Sequence, residues 1–247
     1  MKYGSLFSGI GLLDLGVERA TGWTCAFQVE RDPFCRRILE KHWPRLPRFH
    51  DVRFLDGATL PSVDVLVGGF PCQDVSTAGK GAGLSGRRSG LWFDFLRIIA
   101  DAAPRGIIIE NVPGLIRRGL DVIVAGLHRL GYAVEGTRIR ASDLGAPHRR
   151  ERVFLVAHAN GEGQLQPQGS IGEIRRRPND SGLAYVRQAW AAEPNVPRVV
   201  TRSANWVDHY GRIGALGNAV VPQCAAIAAT RLAERMGEEI SEKWREP

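Results

Sequence analysis

Short apolar runs alternate along most of the chain with segments whose apolar residues recur every three or four positions. The runs predict buried strands and the periodic segments predict amphipathic helices. The predicted strands cover residues 3–7, 24–29, 63–67, 105–109, 133–139 and 152–157, with a short strand end at 50–52. The predicted helices cover residues 12–22, 34–42, 91–100 and 120–130. This alternation favours an α/β domain with a mostly parallel sheet.

The alternation is interrupted once, between Asn160 and about Asn205, where Gly, Gln, Pro, Arg and Asn dominate. Such a composition predicts a small, irregular insert. Periodicity resumes at Ile213, and a final helix is expected to start at Pro222, because proline suits the first helical position. We therefore predict a main domain formed by residues 1–157 and 206–240, with 158–205 as the insert.

A glycine turn follows the first predicted strand. Residues 8–11 read Ser-Gly-Ile-Gly and lead directly into a helix, an arrangement that lets backbone N–H groups face a cofactor. Glu30 ends the second strand, where a carboxylate can accept hydrogen bonds from ribose hydroxyls. A single Gly-x-Gly is found in many folds, so the turn alone is not specific. The alternative for Glu30 is a solvated position at the surface.

The third predicted strand leads to a cysteine. Residues 68–76 read Gly-Gly-Phe-Pro-Cys-Gln-Asp-Val-Ser, so Pro71 fixes the chain just before Cys72. In open α/β sheets, ligands bind at the carboxyl ends of the strands. A thiol placed there is reachable by a substrate and is a candidate nucleophile. The alternative is an ordinary buried cysteine.

The composition indicates an intracellular protein that meets a polyanion. The chain of 247 residues has a formal net charge of +7, which favours nucleic acid as a partner. Its four cysteines form no disulfide-like framework, and neither a signal peptide nor a transmembrane-length apolar run is evident, so we expect a cytoplasmic location. Two basic segments are candidate phosphate contacts or plain solvated surface: the glycine-rich residues 78–90, and Arg175, Arg176 and Arg177.

Five motifs, in order, together resemble the DNA cytosine carbon-5 methyltransferases. They are the glycine turn at 5–16, the Pro-Cys-Gln segment at 68–76, Glu-Asn-Val at 110–112, the arginine-bearing residues 147–156, and Gly-Asn-Ala-Val-Val-Pro at 217–222. The resemblance covers most of the chain, and the compact carboxyl half looks most like phage or prophage members. It implies a Rossmann-like, S-adenosylmethionine-dependent methyltransferase fold and a restriction-modification context.

The resemblance also implies a covalent mechanism on a base flipped out of double-stranded DNA. The Cys72 thiolate would add to carbon 6 of cytosine, so that carbon 5 can accept the methyl group. Glu110 would hold ring nitrogen 3 and the exocyclic amine, while Arg150 and Arg152 would bind the base carbonyl and orient neighbouring groups. The expected DNA contacts are Gln73, Ser76, Lys80, Arg87, Arg88, Arg175, Arg176 and Arg177.

By the same resemblance, the cofactor S-adenosylmethionine would lie against residues from six parts of the chain. No metal is expected, since the six histidines lack convincing ligand spacing, and we expect a monomer, with a partner subunit as an alternative. The expected cofactor-binding residues are Phe7, Gly9, Ile10, Gly11, Leu12, Glu30, Asp51, Val52, Pro71, Leu91, Asn218 and Ala219.

The chain departs from the family pattern in three places. Leu12 stands where many members have a second consecutive glycine, and His148 stands at a usual glutamine position. The third departure lies between Asn160 and Asn205, where neither a full target-recognition domain nor the segment that usually precedes it is found. We therefore expect 158–205 to be a reduced target-recognition insert.

Other functions remain open at this stage. They are methylation of cytosine in transfer RNA, a non-catalytic DNA-binding module, and one half of a split enzyme. A Rossmann oxidoreductase would also use the glycine turn, but it would leave the Pro-Cys-Gln and Glu-Asn-Val segments unexplained.

Overall fold

The computed structural model describes residues 1–71, 90–159, 215 and 219–238. Within these residues the chain forms one seven-stranded sheet in the order β3-β2-β1-β4-β5-β7-β6. The strands are β1 (Lys2–Leu6), β2 (Thr24–Val29), β3 (Arg48–Phe49), β4 (Val65–Gly68), β5 (Gly106–Asn111), β6 (Tyr132–Arg140) and β7 (Glu151–Ala159).

Six of these strands point in one direction. The pairs β1–β2, β2–β3, β1–β4 and β4–β5 are parallel, whereas β7 runs antiparallel to both β5 and β6. The carboxyl ends of the six strands and the amino end of β7 therefore share one edge of the sheet, which we call the carboxyl edge. The last two strands, β6 and β7, form an antiparallel hairpin.

Helices cover both faces of the sheet. They are α1 (Leu12–Thr21), α2 (Pro33–His42), α3 (Leu91–Ala102), α4 (Leu115–Arg118), α5 (Leu120–Arg129) and α6 (Pro222–Arg235). One hydrophobic core lies beneath α1 and α6, the other beneath α3 and α5. Alternate residues along a strand face the two cores: Ile108 faces the first core, and Ile107 and Ile109 face the second. None of the helices in the described residues is long and apolar enough to cross a bilayer.

Local sequence signals explain where the helices begin and end. The Asp32 carboxylate accepts hydrogen bonds from the backbone N–H groups of Phe34 and Cys35, at 2.8 and 3.0 Å, so it caps α2. Gly22 ends α1 in the left-handed conformation, with φ 69°. Pro222 stands in the first turn of α6, as predicted.

The predicted α/β class is confirmed, and three local features differ from the sequence prediction. β3 ends at Phe49, and a short 3-10 turn, Val52–Phe54, replaces the predicted strand end at 50–52. β5 extends through Glu110 and Asn111 because both pair with β7. The short helix α4 was not predicted. The division into a main domain and an insert stays a prediction, because residues 160–205 lie outside the described part of the chain.

Candidate active site

A cleft of about 850 Å³ opens at the carboxyl edge, above β1 and β4. The chain leaves β1 towards β2 on one side and leaves β4 towards β5 on the other. A crevice at such a reversal of strand order is the usual ligand site of open α/β sheets. The cleft is lined by residues that follow β1, β2, β4 and β5, together with residues 50–53, Leu91, Arg152, Ala215, Ala219 and Val220.

The turn after β1 forms one wall of the cleft, and Glu30 holds it in place. The Glu30 carboxylate accepts a hydrogen bond from Gly9 N–H at 2.7 Å through one oxygen and from Asp32 N–H at 2.7 Å through the other. Gly9 has φ 57°, and a Cβ built on it would meet nothing within 4 Å. The turn therefore presents open backbone to the cleft, which suits the close approach of a ligand.

Gly11 has a packing role in the same turn. A Cβ on Gly11 would lie 2.4 Å from the Trp43 indole ring, and its φ is 81°. Gly11 is not among the residues that line the cleft. Its left-handed backbone and its close packing against Trp43 explain why glycine is required there, and its contact with the cofactor stays a prediction.

Asp51 lines the cleft beyond Glu30, with its carboxylate held by Arg53. The Arg53 Nε atom lies 3.0 and 3.1 Å from the two Asp51 oxygens, and the Arg53 backbone N–H also donates to Asp51. The hydrogen bonds from Arg53 lower the pKa of Asp51. Asp51 is therefore an ionised acceptor, and a carboxylate has lone pairs for a further donor such as an amino group.

Arg97, on α3, holds the backbone of the segment that carries Asp51 and Val52. Its guanidinium donates to the carbonyl of Leu55 at 2.5 Å and to that of Val52 at 3.0 Å. Two acidic residues of its own helix, Asp94 and Asp101, lie 3.7 Å from it. Arg97 was not predicted from the sequence, because its position on an amphipathic helix gives no sign of a contact with a distant loop.

The end of β5 brings a carboxylate and a guanidinium together. Glu110 is 7% exposed, and its Oε1 atom lies 2.9 Å from Nε of Arg152 on β7. Burial raises the pKa of Glu110 to about 7, although the charges of Arg152 and Arg150 act in the opposite direction. Burial therefore favours the acid form of Glu110 at a higher pH than for an exposed glutamate.

Gly69 leaves space for the second carboxylate oxygen of Glu110. A Cβ on Gly69 would lie 2.8 Å from Glu110 Oε2. Oε1 is the oxygen bound by Arg152, and Oε2 is the oxygen next to Gly69. Any larger residue at position 69 would clash with Glu110, so glycine is required there.

Asn111 links the end of β5 to the segment before Cys72. Its side-chain amide donates to the carbonyl of Phe70 at 3.3 Å, and its Oδ1 atom accepts from the N–H of Val112 at 2.8 Å. Phe70 precedes Pro71, which also lines the cleft. Asn111 therefore orients the backbone that leads to Cys72, a positioning role that the sequence analysis did not assign.

The structure brings most of the described candidate residues together. Arg150 does not line the cleft: its guanidinium donates to the carbonyl of Ala219 and so connects β7 to the segment before α6. Cys72 and Asn218 lie outside the described residues, as do all eight predicted DNA contacts. The predicted residues that line the cleft are Phe7, Gly9, Ile10, Leu12, Glu30, Asp51, Val52, Pro71, Leu91, Glu110, Arg152 and Ala219.

No cluster of three or more His, Cys, Asp or Glu side chains in the described part of the chain has a geometry that could hold a metal ion. Among the polar residues that line the cleft, the candidate binding and catalytic groups are two carboxylates on the β2 side, Glu30 and Asp51, and the Glu110–Arg152 pair at the ends of β5 and β7. The half of the cleft with Glu30 and Asp51 can therefore bind a ligand, and the half with Glu110 and Arg152 can take part in acid–base chemistry.

Comparison with known proteins gives one consistent family. A family model described as C-5 cytosine-specific DNA methylase matches residues 1–193. The type II methyltransferase M.NgoBI of Neisseria gonorrhoeae is 35% identical over 63% of the chain and 50% of its own length. M.DsaV of Dactylococcopsis salina is 28% identical over 83% of the chain and 62% of its own length. The chain thus spans about half to three fifths of these curated relatives.

Solved structures show the same architecture. An Escherichia coli prophage protein described as a DNA modification methyltransferase has a TM-score of 0.54 and 27% identity, over 64% of this chain and 47% of its own. The DNMT2 protein of Spodoptera frugiperda has a TM-score of 0.57 over 72% of this chain and 56% of its own. Its 19% identity supports the shared fold alone.

Proposed function

Because the chain belongs to the C-5 cytosine-specific DNA methylase family, we propose that it transfers a methyl group from S-adenosylmethionine to carbon 5 of cytosine in DNA. The observation that carries the proposal is the Glu110–Arg152 pair, placed at the cleft by β5 and β7. This pair lines the same cleft as Pro71, the residue immediately before Cys72.

The cleft fits the cofactor of this family. Open backbone at Gly9 gives room for the methionine end, Glu30 offers carboxylate oxygens to ribose hydroxyls, and Asp51 offers an acceptor to the adenine amino group. When bound, the cofactor supplies a methyl group on a positively charged sulfur. The residues of the chain hold that group next to the base.

The protein's own residues activate the cytosine. The Cys72 thiolate forms a bond to carbon 6, and the electron pair displaced from the ring double bond makes carbon 5 nucleophilic. Glu110 in its acid form donates a hydrogen bond or a proton to ring nitrogen 3, which disperses the charge that develops in the adduct. Arg152 fixes Glu110 and offers its remaining N–H groups to the base carbonyl.

After methyl transfer, a base removes the proton from carbon 5, the ring double bond reforms, and the bond to Cys72 breaks with its electron pair returning to sulfur. The cytosine must leave the duplex to reach Cys72, since carbon 6 is inaccessible within stacked DNA. Methyl transfer to DNA therefore requires that the target cytosine is flipped out of the helix.

Expression of the 247-residue chain in a host without cytosine methylation tests the proposal. We expect 5-methylcytosine at a defined set of sites after sequencing of converted genomic DNA. Unmarked DNA, from a purified chain that binds S-adenosylmethionine, would contradict the proposal for the chain alone. Adding fractionated transfer RNA or a candidate partner subunit then identifies an RNA substrate or a split enzyme.

Replacement of Arg97 tests whether this residue holds the segment that carries Asp51 and Val52 in the conformation that binds the cofactor. We expect Arg97→Gln to weaken binding of S-adenosylmethionine about tenfold, because two hydrogen bonds from a charged donor to the 52–55 backbone are lost. Isothermal titration calorimetry measures the change.

The control for Arg97 is Arg235→Gln, which removes an ion pair with Glu135 far from the cleft. The control should bind the cofactor as the unmodified chain does. Equal affinity in Arg97→Gln and in the unmodified chain would show that the 52–55 segment holds its conformation without Arg97.

A further inference from the structure

Three arginines surround one carboxylate where the β6–β7 hairpin reaches the carboxyl edge. Glu151 Oε2 lies 3.2 Å from Arg140 Nε and 3.9 Å from Arg149 Nη2, and Glu151 Oε1 lies 3.6 Å from Arg138 Nη1. We call these four residues the Glu151 cluster. None of the four residues has a function predicted from the sequence.

Within the cluster, Arg140, Arg149 and Glu151 together carry excess positive charge. Arg140 and Arg149 share a single oxygen of Glu151, and in the described part of the chain Glu151 is the acidic side chain that forms ion pairs with both. One carboxylate neutralises only one of two guanidinium groups. The Arg140 and Arg149 side chains are 41% and 74% exposed, so a second anion can reach them from solvent.

The position of the cluster relates it to the proposed active site. Arg140 lies opposite Glu151 in the β6–β7 register. Arg152, the next residue, contacts Glu110. Because successive strand residues point to opposite faces, the Glu151 cluster and the Glu110–Arg152 pair lie on the two faces of one strand end.

We propose that the Glu151 cluster binds a backbone phosphate of the DNA strand whose cytosine is held at Glu110. The proposal rests on the proposed function. A base that leaves the helix stays joined to its own backbone, so the phosphates on either side of it are brought to the carboxyl edge as well. Guanidinium groups bind phosphate oxygens through paired hydrogen bonds. The contact would position the strand without reading its sequence.

The salt dependence of DNA binding tests this contact. For Arg149→Gln and Arg140→Gln, a fluorescent DNA duplex of mixed sequence is titrated at several salt concentrations. Loss of one phosphate contact should reduce the slope of log K against log salt by about 0.9, and should weaken binding roughly threefold to tenfold. Arg149→Lys keeps the charge and should retain the slope. The rate at saturating DNA and the affinity for S-adenosylmethionine should stay unchanged.

The matched control is Arg129→Gln, at the exposed carboxyl end of α5, away from the carboxyl edge. Slopes for Arg149→Gln and Arg140→Gln equal to that of Arg129→Gln would overturn the proposal. Weakened binding of transfer RNA with unchanged binding of DNA would also overturn it. Failure of the proposed function gives a different result, namely DNA binding by the unmodified chain without methyl transfer.

Discussion

Cys72→Ser should abolish methyl transfer to DNA while the chain still binds S-adenosylmethionine. A serine hydroxyl is barely ionised near neutral pH, so it is a far weaker nucleophile towards carbon 6 than a thiolate. By analogy with other enzymes that lose their nucleophile, we expect a decrease in rate on the order of 10⁴-fold to 10⁶-fold. Transfer of a labelled methyl group to DNA measures the rate.

A trapped adduct separates the covalent mechanism from a merely structural effect of the substitution. The DNA for this test carries 5-fluorocytosine at the target position. Fluorine at carbon 5 cannot be removed as a proton is, so the bond to Cys72 should persist after methyl transfer. We expect a stable protein–DNA complex on a denaturing gel for the unmodified chain and none for Cys72→Ser. Cys25→Ser, which changes a half-buried cysteine on β2, should form the complex. Methyl transfer by Cys72→Ser at the unmodified rate would contradict the mechanism.

The strand and helix pattern was predictable because apolar periodicity is a local property of the sequence. The predicted strand at residues 24–29 and the helix at 34–42 match β2 and α2 almost residue for residue. The Gly-x-Gly turn and Glu30 were also found from sequence, since their spacing follows the strand–turn–helix unit. What the sequence could not give was the hydrogen bond between Glu30 and Gly9, which depends on the pairing of β1 with β2.

Contacts between distant parts of the chain account for the residues that were missed. Arg97 reaches carbonyls more than forty positions earlier in the chain, at Val52 and Leu55. Asn111 reaches the carbonyl of Phe70 across the β4–β5 pair. Neither side chain differs, in its own segment, from an ordinary polar residue. The close packing of Trp43 against Gly11 is likewise a contact between distant parts of the chain.

The raised pKa of Glu110 also depends on three-dimensional contacts. A glutamate at the end of an apolar strand could be solvated, but here it is buried between β4 and β7, with Gly69 beside it. Burial favours the neutral acid, and Arg152 together with Arg150 favours the carboxylate. Since burial dominates, the fold provides an acid at a pH where an exposed glutamate would be ionised.

Glu110→Gln should lower the rate of methyl transfer about 10²-fold to 10⁴-fold, the range expected for loss of a general acid. The amide can still accept a hydrogen bond from Arg152, so the fold and the affinity for S-adenosylmethionine should be retained. The matched control is Glu135→Gln, which changes a glutamate paired with Arg231 and Arg235 on the far side of α6. The control should keep the unmodified rate.

The pH dependence distinguishes an acid at Glu110 from a group that only holds its neighbours. The folded-state pKa of Glu110, about 7, lies above its ordinary value of 4.5. The acid form, and the stability that comes from burying it uncharged, are therefore fully present below pH 4.5 and are lost as the pH rises through 7. In the unmodified chain, kcat/KM should have a descending limb near pH 7, because this quantity reports ionisation in the free enzyme. Glu110→Gln should lack this limb, whereas Glu135→Gln should keep it. A descending limb that persists in Glu110→Gln would assign the ionisation to another group and would remove Glu110 from the role of acid.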